Sequence, residues 1–259
     1  MPNEIVTPSS ADRVAGMVRV APDPTVADLV DQHWIVIWDR RGAAPVRREV
    51  LPDPCVNLTV EPAGRFVYGV GSGYGVRVLD GAGMVLGTKF RPAGFSGIWP
   101  GSMSELRGRT MGLPEVFGAA GDELDDALAA APDIPGAIAA VTAFINARRQ
   151  APDPQRLLAV EIAEAMRGAG PGATVNGLAA EFAISPRTLQ RLFARHVGAA
   201  PKQVLQRFRR QRAVDRLSDP GRSDLAWIAA ELGYADQSHL TRDFRTTLGR
   251  CPAALARRS

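Results

Sequence analysis

Cysteine is nearly missing from this chain of 259 residues, with Cys55 and Cys251 its only two. Thiols so few and so far apart build neither a disulfide framework nor a zinc cluster, and they fit a reducing compartment. Histidine is scarce as well. His33, His196 and His239 have no spacing that puts two ligands on one helical face, so no metal and no cofactor are expected. No run approaches the ~18 consecutive apolar residues of a membrane helix, and Met1-Pro2-Asn3-Glu4 lacks the basic-then-apolar order of a signal peptide. A cytoplasmic protein with no membrane partner is expected. A serine elbow, a phosphate-binding lysine loop and carboxylates paired for catalysis are also missing, so the chain is read as a non-enzyme without catalytic residues. The run Gly69-Val70-Gly71-Ser72-Gly73-Tyr74-Gly75 is glycine-rich but opens no helix, and it reads as a hairpin turn.

What is present begins with 46% hydrophobic residues, enough for a packed core in one large domain or two ordinary ones. The net charge of +4 is unevenly spread: residues 170–259 hold 15 Lys+Arg against 7 Asp+Glu, leaving 16 against 20 for residues 1–169. A basic end joined to a mildly acidic one is the footprint of a nucleic-acid binder attached to something that is not one. A GC-rich genome would explain why lysine occurs only at Lys89 and Lys202, but not the asymmetry.

From His33 to Trp99 the pattern is short and strand-like. The apolar runs His33–Trp38, Arg48–Leu51, Val56–Val60, Phe66–Tyr68, Val76–Leu79 and Val85–Phe90 are separated by turn formers such as Pro62-Ala63-Gly64 and Asp80-Gly81. Strands at this spacing suggest a small antiparallel β-barrel or sandwich. After Gly112 alanine-rich helical segments follow at Leu124–Ala130, Pro135–Arg149 and Gln155–Arg167, with Ile138, Val141, Phe144 and Ile145 in one helical stripe. The fold class is therefore α+β: a β-rich domain over residues 1–112, a helical connector or dimerisation segment over 113–152, and an all-α domain over 153–259.

The last part contains two weakly similar halves. In the first, Leu178, Phe182, Leu189, Leu192 and Phe193 fit two short helices on one core, with Ser185 as cap and Pro186 in the first helical turn. Arg187, Thr188, Gln190, Arg191 and Arg195 then point outward. In the second, Gly233 permits the turn, Asp236 caps the next helix, and Leu240, Phe244 and Leu248 form its buried stripe. Gln237, Ser238, His239, Thr241 and Arg242 are left exposed or partly so. Between the halves, Pro201–Leu217 reads as one longer, arginine-rich helix.

These residues resemble the DNA-binding domain of the AraC family of bacterial transcription regulators. Ile228-Ala229, Gly233-Tyr234, Gln237-Ser238-His239, Phe244-Arg245, Gly249 and Pro252 stand where that family's pattern places them, as do Leu178-Ala179, Ser185, Leu189, Arg191, Phe193, Gly198 and Pro201. Leu240 and Leu248 replace the family's frequent Phe and keep its apolar character. The resemblance implies two helix-turn-helix units joined by a long helix, reading successive major grooves about 34 Å apart on double-stranded DNA. Arg187, Gln190, Arg191, Gln237, Ser238, His239, Thr241 and Arg242 are the base-reading candidates, since Arg pairs bidentately with guanine and Gln with adenine, each good pair discriminating by roughly 1–3 kcal/mol. Arg195, Arg207 and Arg245 are the phosphate candidates. RNA polymerase is a further partner if the regulator activates.

The N-terminal half resembles an uncharacterised domain recurring in such regulators, through His33–Asp39, Leu51–Leu58 and Gly87–Phe95. A small-molecule effector in an aromatic-rich barrel would meet Trp34, Trp38, Cys55, Asn57, Lys89, Phe90 and Trp99. Each of these, taken singly, also reads as core. Two alternatives stay open: redox sensing through Cys55, and a first domain that only dimerises. Alkyl-transfer DNA repair, which shares this DNA-binding architecture, is disfavoured because neither Cys55 nor Cys251 adjoins the His-Arg such a nucleophile needs. A monomer would occupy an asymmetric site and a homodimer would demand two.

Overall fold

In the computed structural model, residues 17–50, 54–71, 75–217, 224–248 and 251–252 are described. Leu51-Pro52-Asp53, Ser72-Gly73-Tyr74, Gly249 and the segment Met1–Glu4 lie outside them, as does the side chain of Leu248. The N-terminal half is laid out on β2 (Val30–Asp39) and β7 (Ala82–Phe90), which pair antiparallel along nearly their whole length. Around them β1 (Met17–Val20), β4 (Asn57–Glu61), β5 (Gly64–Tyr68) and β8 (Thr110–Gly112) complete a six-stranded antiparallel sheet in the order β1-β2-β7-β4-β5-β8. Neither edge pairs with the other among the described residues, so the sheet is open and the closed barrel is not formed. β3 (Val46–Val50) and β6 (Gly75–Leu79) form a separate two-stranded ribbon. It meets the sheet where the Arg77 guanidinium lies 5.1 Å from the Tyr68 ring centroid and Trp38 Nε1 donates to Asp80 O at 2.9 Å. The glycine-rich stretch is thus no hairpin: β5 and β6 on either side of it belong to different sheets.

Register explains which face is which. His33, Thr88, Leu58, Val67 and Met111 lie in one cross-strand row and are all buried on the inner face. The neighbouring row carries Trp34 opposite Gly87, and further along Trp38 opposite Gly83. Those glycines are required by the indoles, since a Cβ at Gly87 would stand 2.0 Å from Trp34 Cε2 and one at Gly83 2.3 Å from Trp38 Cζ2.

The helices follow as α1 (Leu113–Phe117), α2 (Ala119–Ala130), α3 (Ile134–Ala147), α4 (Pro154–Gly168), α5 (Val175–Glu181), α6 (Pro186–His196), α7 (Pro201–Leu217), α8 (Leu225–Glu231) and α9 (Gln237–Leu248). The stripe expected on α3 is there, with Val141 and Ile145 fully buried and Phe144 edge-on to Phe117 at 5.0 Å. One apolar core runs from the sheet through α2, α3 and α4 into α5, α6 and the first half of α7. A second, smaller core joins the second half of α7 to α8 and α9.

Candidate nucleic-acid interface

Each C-terminal unit is a short helix, a tight turn and a longer helix closed on their own apolar side chains. Thr174 Oγ1 accepts from Gly177 N at 3.0 Å to cap α5, and Ser185 Oγ accepts from Thr188 N at 3.0 Å to cap α6. Leu178, Leu189, Leu192 and Phe193 are buried, which leaves Arg187, Gln190, Arg191 and Arg195 exposed. Thr188 is half-buried and its hydroxyl lies 2.9 Å from Ser185 Oγ, so it belongs to the cap.

The second unit repeats this plan. Asp224 caps α8 by accepting from Ala226 N at 2.9 Å, and Asp236 caps α9 by accepting from His239 N at 2.7 Å. Ile228, Leu232, Leu240 and Phe244 are buried, whereas Gln237, Ser238, His239, Arg242 and Arg245 are exposed and Thr241 is half-buried. His239 is less available than its exposure suggests. Its ring meets Tyr234 edge-on at 5.4 Å, and its Nδ1 accepts from Ala235 N at 3.4 Å.

The linking helix α7 departs from expectation. Arg207, expected on a phosphate, is 7% exposed and lies within the protein, where it cannot reach a duplex. Its neighbours are engaged between helices. Arg209 donates to Ala173 O at 3.5 Å, Arg212 donates to Ala169 O, Arg210 pairs with Asp243 at 3.1 Å and Arg216 with Glu231 at 2.7 Å. Burial, with Arg209 nearby, lowers the pKa of the Arg212 guanidinium. Arginine density on this helix therefore reports internal struts.

Sequence reasoning also missed a seam between the first unit and the N-terminal half. Arg107 Nε donates to Gly198 O at 2.7 Å, Arg195 Nη2 to Pro100 O at 2.8 Å and Ser102 Oγ to Ala194 O at 3.4 Å. His196, buried, has its Nδ1 3.4 Å from Ser96 Oγ and its Nε2 3.7 Å from Asp153 Oδ2. Burial lowers its pKa, and Asp153 acts the other way. The Arg195 head is thus engaged at the seam, which weakens it as a phosphate candidate. The only local signal for the seam is Gly198, whose φ of +81° and a hypothetical Cβ 2.6 Å from Met103 O both demand glycine.

The seven N-terminal candidates do not converge. Trp34 Nε1 donates to Asn57 Oδ1 at 3.1 Å, Asn57 stands opposite Lys89 across β4 and β7, and Lys89 pairs with Asp31 at 3.1 Å. These three share the outer face of the sheet. Trp38 is buried under the ribbon, and Cys55 and Phe90 are buried in the interior, Phe90 edge-on to Phe95 at 5.0 Å. Trp99 packs beside Phe95 at 6.4 Å and over Gly101. A common pocket for all seven is ruled out, because Lys89 and Phe90 point to opposite faces of one strand.

Residues 178–258 match a helix-turn-helix domain family, and residues 18–112 match a domain of unknown function. The HTH-type transcriptional activator RhaS of Pectobacterium atrosepticum is 34% identical over 79 residues, which are 30% of this chain and 28% of RhaS. The chain thus spans less than a third of that relative's length. Among solved structures, ToxT of Vibrio cholerae gives a TM-score of 0.41 at 8% identity over 93% of this chain and 96% of its own. The C-terminal domain of AraT, a response regulator from Geobacillus stearothermophilus, gives 0.35 at 20% over 38% and 83%. With two capped helix-turn-helix units joined by α7 over the residues of the domain match, the C-terminal part of the chain is a helix-turn-helix domain similar to part of a transcriptional activator.

Proposed function

We propose that the protein regulates transcription by reading two successive major grooves of duplex DNA, α6 in one and α9 in the other. The observation that carries this reading is that both helices expose donors along their first two turns, Arg187, Gln190 and Arg191 on α6 and Gln237, Ser238 and Arg242 on α9, while their apolar faces are buried. Arg187, Gln190 and Arg242 read bases, and Arg245 contacts phosphate. Residues 1–112 form the sensing part, 113–152 the connector and 153–259 the DNA-binding part, working in the cytoplasm. An effector is sensed on the outer sheet face at Trp34, Asn57 and Lys89. RNA polymerase or a second copy of the chain joins the complex according to the promoter.

Redox control through Cys55 loses support, because a thiol that is 3% exposed meets oxidants slowly. The test is selection of genomic DNA fragments by the purified protein, followed by Arg187→Ala and Arg242→Ala. Each should relax preference at particular base pairs by roughly 1–3 kcal/mol. Arg207→Ala should lower thermal stability and leave the salt dependence of binding unchanged. Uniform loss across all duplexes for Arg187→Ala and Arg242→Ala would remove them from base reading.

A further inference from the structure

The helix α7 is shared between two cores that have no member in common among the described residues. Val204, Leu205 and Phe208 belong to the large core with the sheet and the first unit, and Ala213, Val214 and Leu217 to the small core with α8 and α9. The second unit is thus seated on half a helix, by apolar contacts that carry no directional preference. Any roll of α9 about α7 displaces Gln237, Ser238 and Arg242 relative to Arg187 and Gln190. Neighbouring base pairs are only about 3.4 Å apart, so even a small roll costs register.

One polar cluster opposes that roll. Asp243 stands on α9 beside Arg242 but is turned inward: its Oδ1 accepts from Arg210 Nη1 of α7 at 3.1 Å and its Oδ2 accepts from Tyr234 OH at 2.8 Å. The Arg210 and Asp243 side chains are 14% and 21% exposed, so little water competes for them. Tyr234 is buried in turn, with the Arg209 guanidinium 5.7 Å from its ring centroid. A carboxylate gripped on both oxygens, from α7 on one side and from the inter-helix turn on the other, has one orientation. A further ion pair from α7 to this unit, Arg216 to Glu231, has side chains 45% and 27% exposed and constrains less. A buried ion pair adds little net stability, and its best-attested use is to fix registry.

We propose that Arg210, Asp243 and Tyr234 are positioning residues that lock the second recognition helix to α7 and so set the spacing between the two DNA half-motifs. This rests on the two-groove reading, which the unaltered chain tests first: selection from random duplex DNA must return a two-part motif of fixed spacing. Failure to do so overturns that reading and this proposal together. The same selection is then run with the full chain carrying Asp243→Ala, Arg210→Ala, Tyr234→Phe or Arg210→Lys. Tyr234→Phe removes one hydroxyl from an otherwise unchanged ring and guards against loss of folding, and Arg210→Lys keeps a cation facing Asp243.

The first three should return both half-motifs with a spacing broadened by a base pair or more, and Arg210→Lys should restore most of the original distribution. Affinity for the original spacing should fall about tenfold with Asp243→Ala, because a loosened link lowers the effective concentration of the second unit. Affinity for a duplex carrying the first half-motif alone should stay the same. Unchanged spacing in all variants, or loss of the second half-motif with no change in spacing, would reduce the cluster to a stabiliser of the fold and overturn the proposal.

Discussion

Arg187, Gln190, Arg191 and Arg242 keep their polar heads in solvent because Leu189, Leu192, Phe193, Leu240 and Phe244 take the opposite faces of α6 and α9. That division is set by helical period and was legible in the sequence. Arg207 was not, since its neighbours on α7 are buried by two different cores and no single apolar stripe marks the inside. His33 shows the same limit. It reads as an unremarkable strand residue, yet it is fully buried with Nδ1 2.9 Å from Thr88 Oγ1, and burial depresses its pKa to about 4. Unfolding restores the ordinary value of 6.5, so between these two pH values the unfolded chain binds more protons and stability rises with pH. The contribution is fully present above pH 6.5 and is lost as the pH falls through 4, amounting to roughly 3 kcal/mol. Denaturant titrations across this window should show that slope, and His33→Gln should flatten it; an equal slope in both would assign the effect to other groups.

Among the elements, α7 was legible end to end, because Pro201 starts it and no further proline or glycine interrupts it before Leu217. The caps Ser185 and Asp236 announced α6 and α9 for a similarly local reason. β1 and β8, of four and three residues, have too little pattern to be seen and exist by pairing with β2 and β5. The supposed hairpin between β5 and β6 failed because a turn-rich segment says that the chain leaves a strand, not which edge it joins next. Gly198 closes α6 at the seam. Gly198→Ala would place a side chain at φ +81° and against Met103 O, and should lower stability by about 1–3 kcal/mol in calorimetry. A neutral effect would show that the seam yields freely.

At the scale of the molecule the two reading units are unequal. The first shares the large core and is tied to the N-terminal half through Arg107, Ser102, Arg195 and His196; among the described residues the second rests on the small core, on its links to α7 and on the close approach of Gly233 to Pro171 and Gly172. Under the proposed function, a change in the N-terminal half would reach the first unit through these contacts and the second mainly through α7. Hydrogen exchange should record this as faster exchange of amides in α8 and α9 than in α5 and α6, since local opening costs less where fewer apolar contacts hold. Arg107→Ala should raise exchange at the end of α6 while leaving α9 unchanged. Equal protection of the two units would show that they open as one.

By itself the sequence determined the two helix-turn-helix units, their caps and their outward faces, because those depend on contacts within a few residues along the chain. Only the tertiary structure decided which arginines remain available to DNA, which N-terminal candidates share a face, and how the first unit is joined to the rest. Those outcomes depend on partners such as Ser96 and His196, or Arg210 and Asp243, that folding alone brings together.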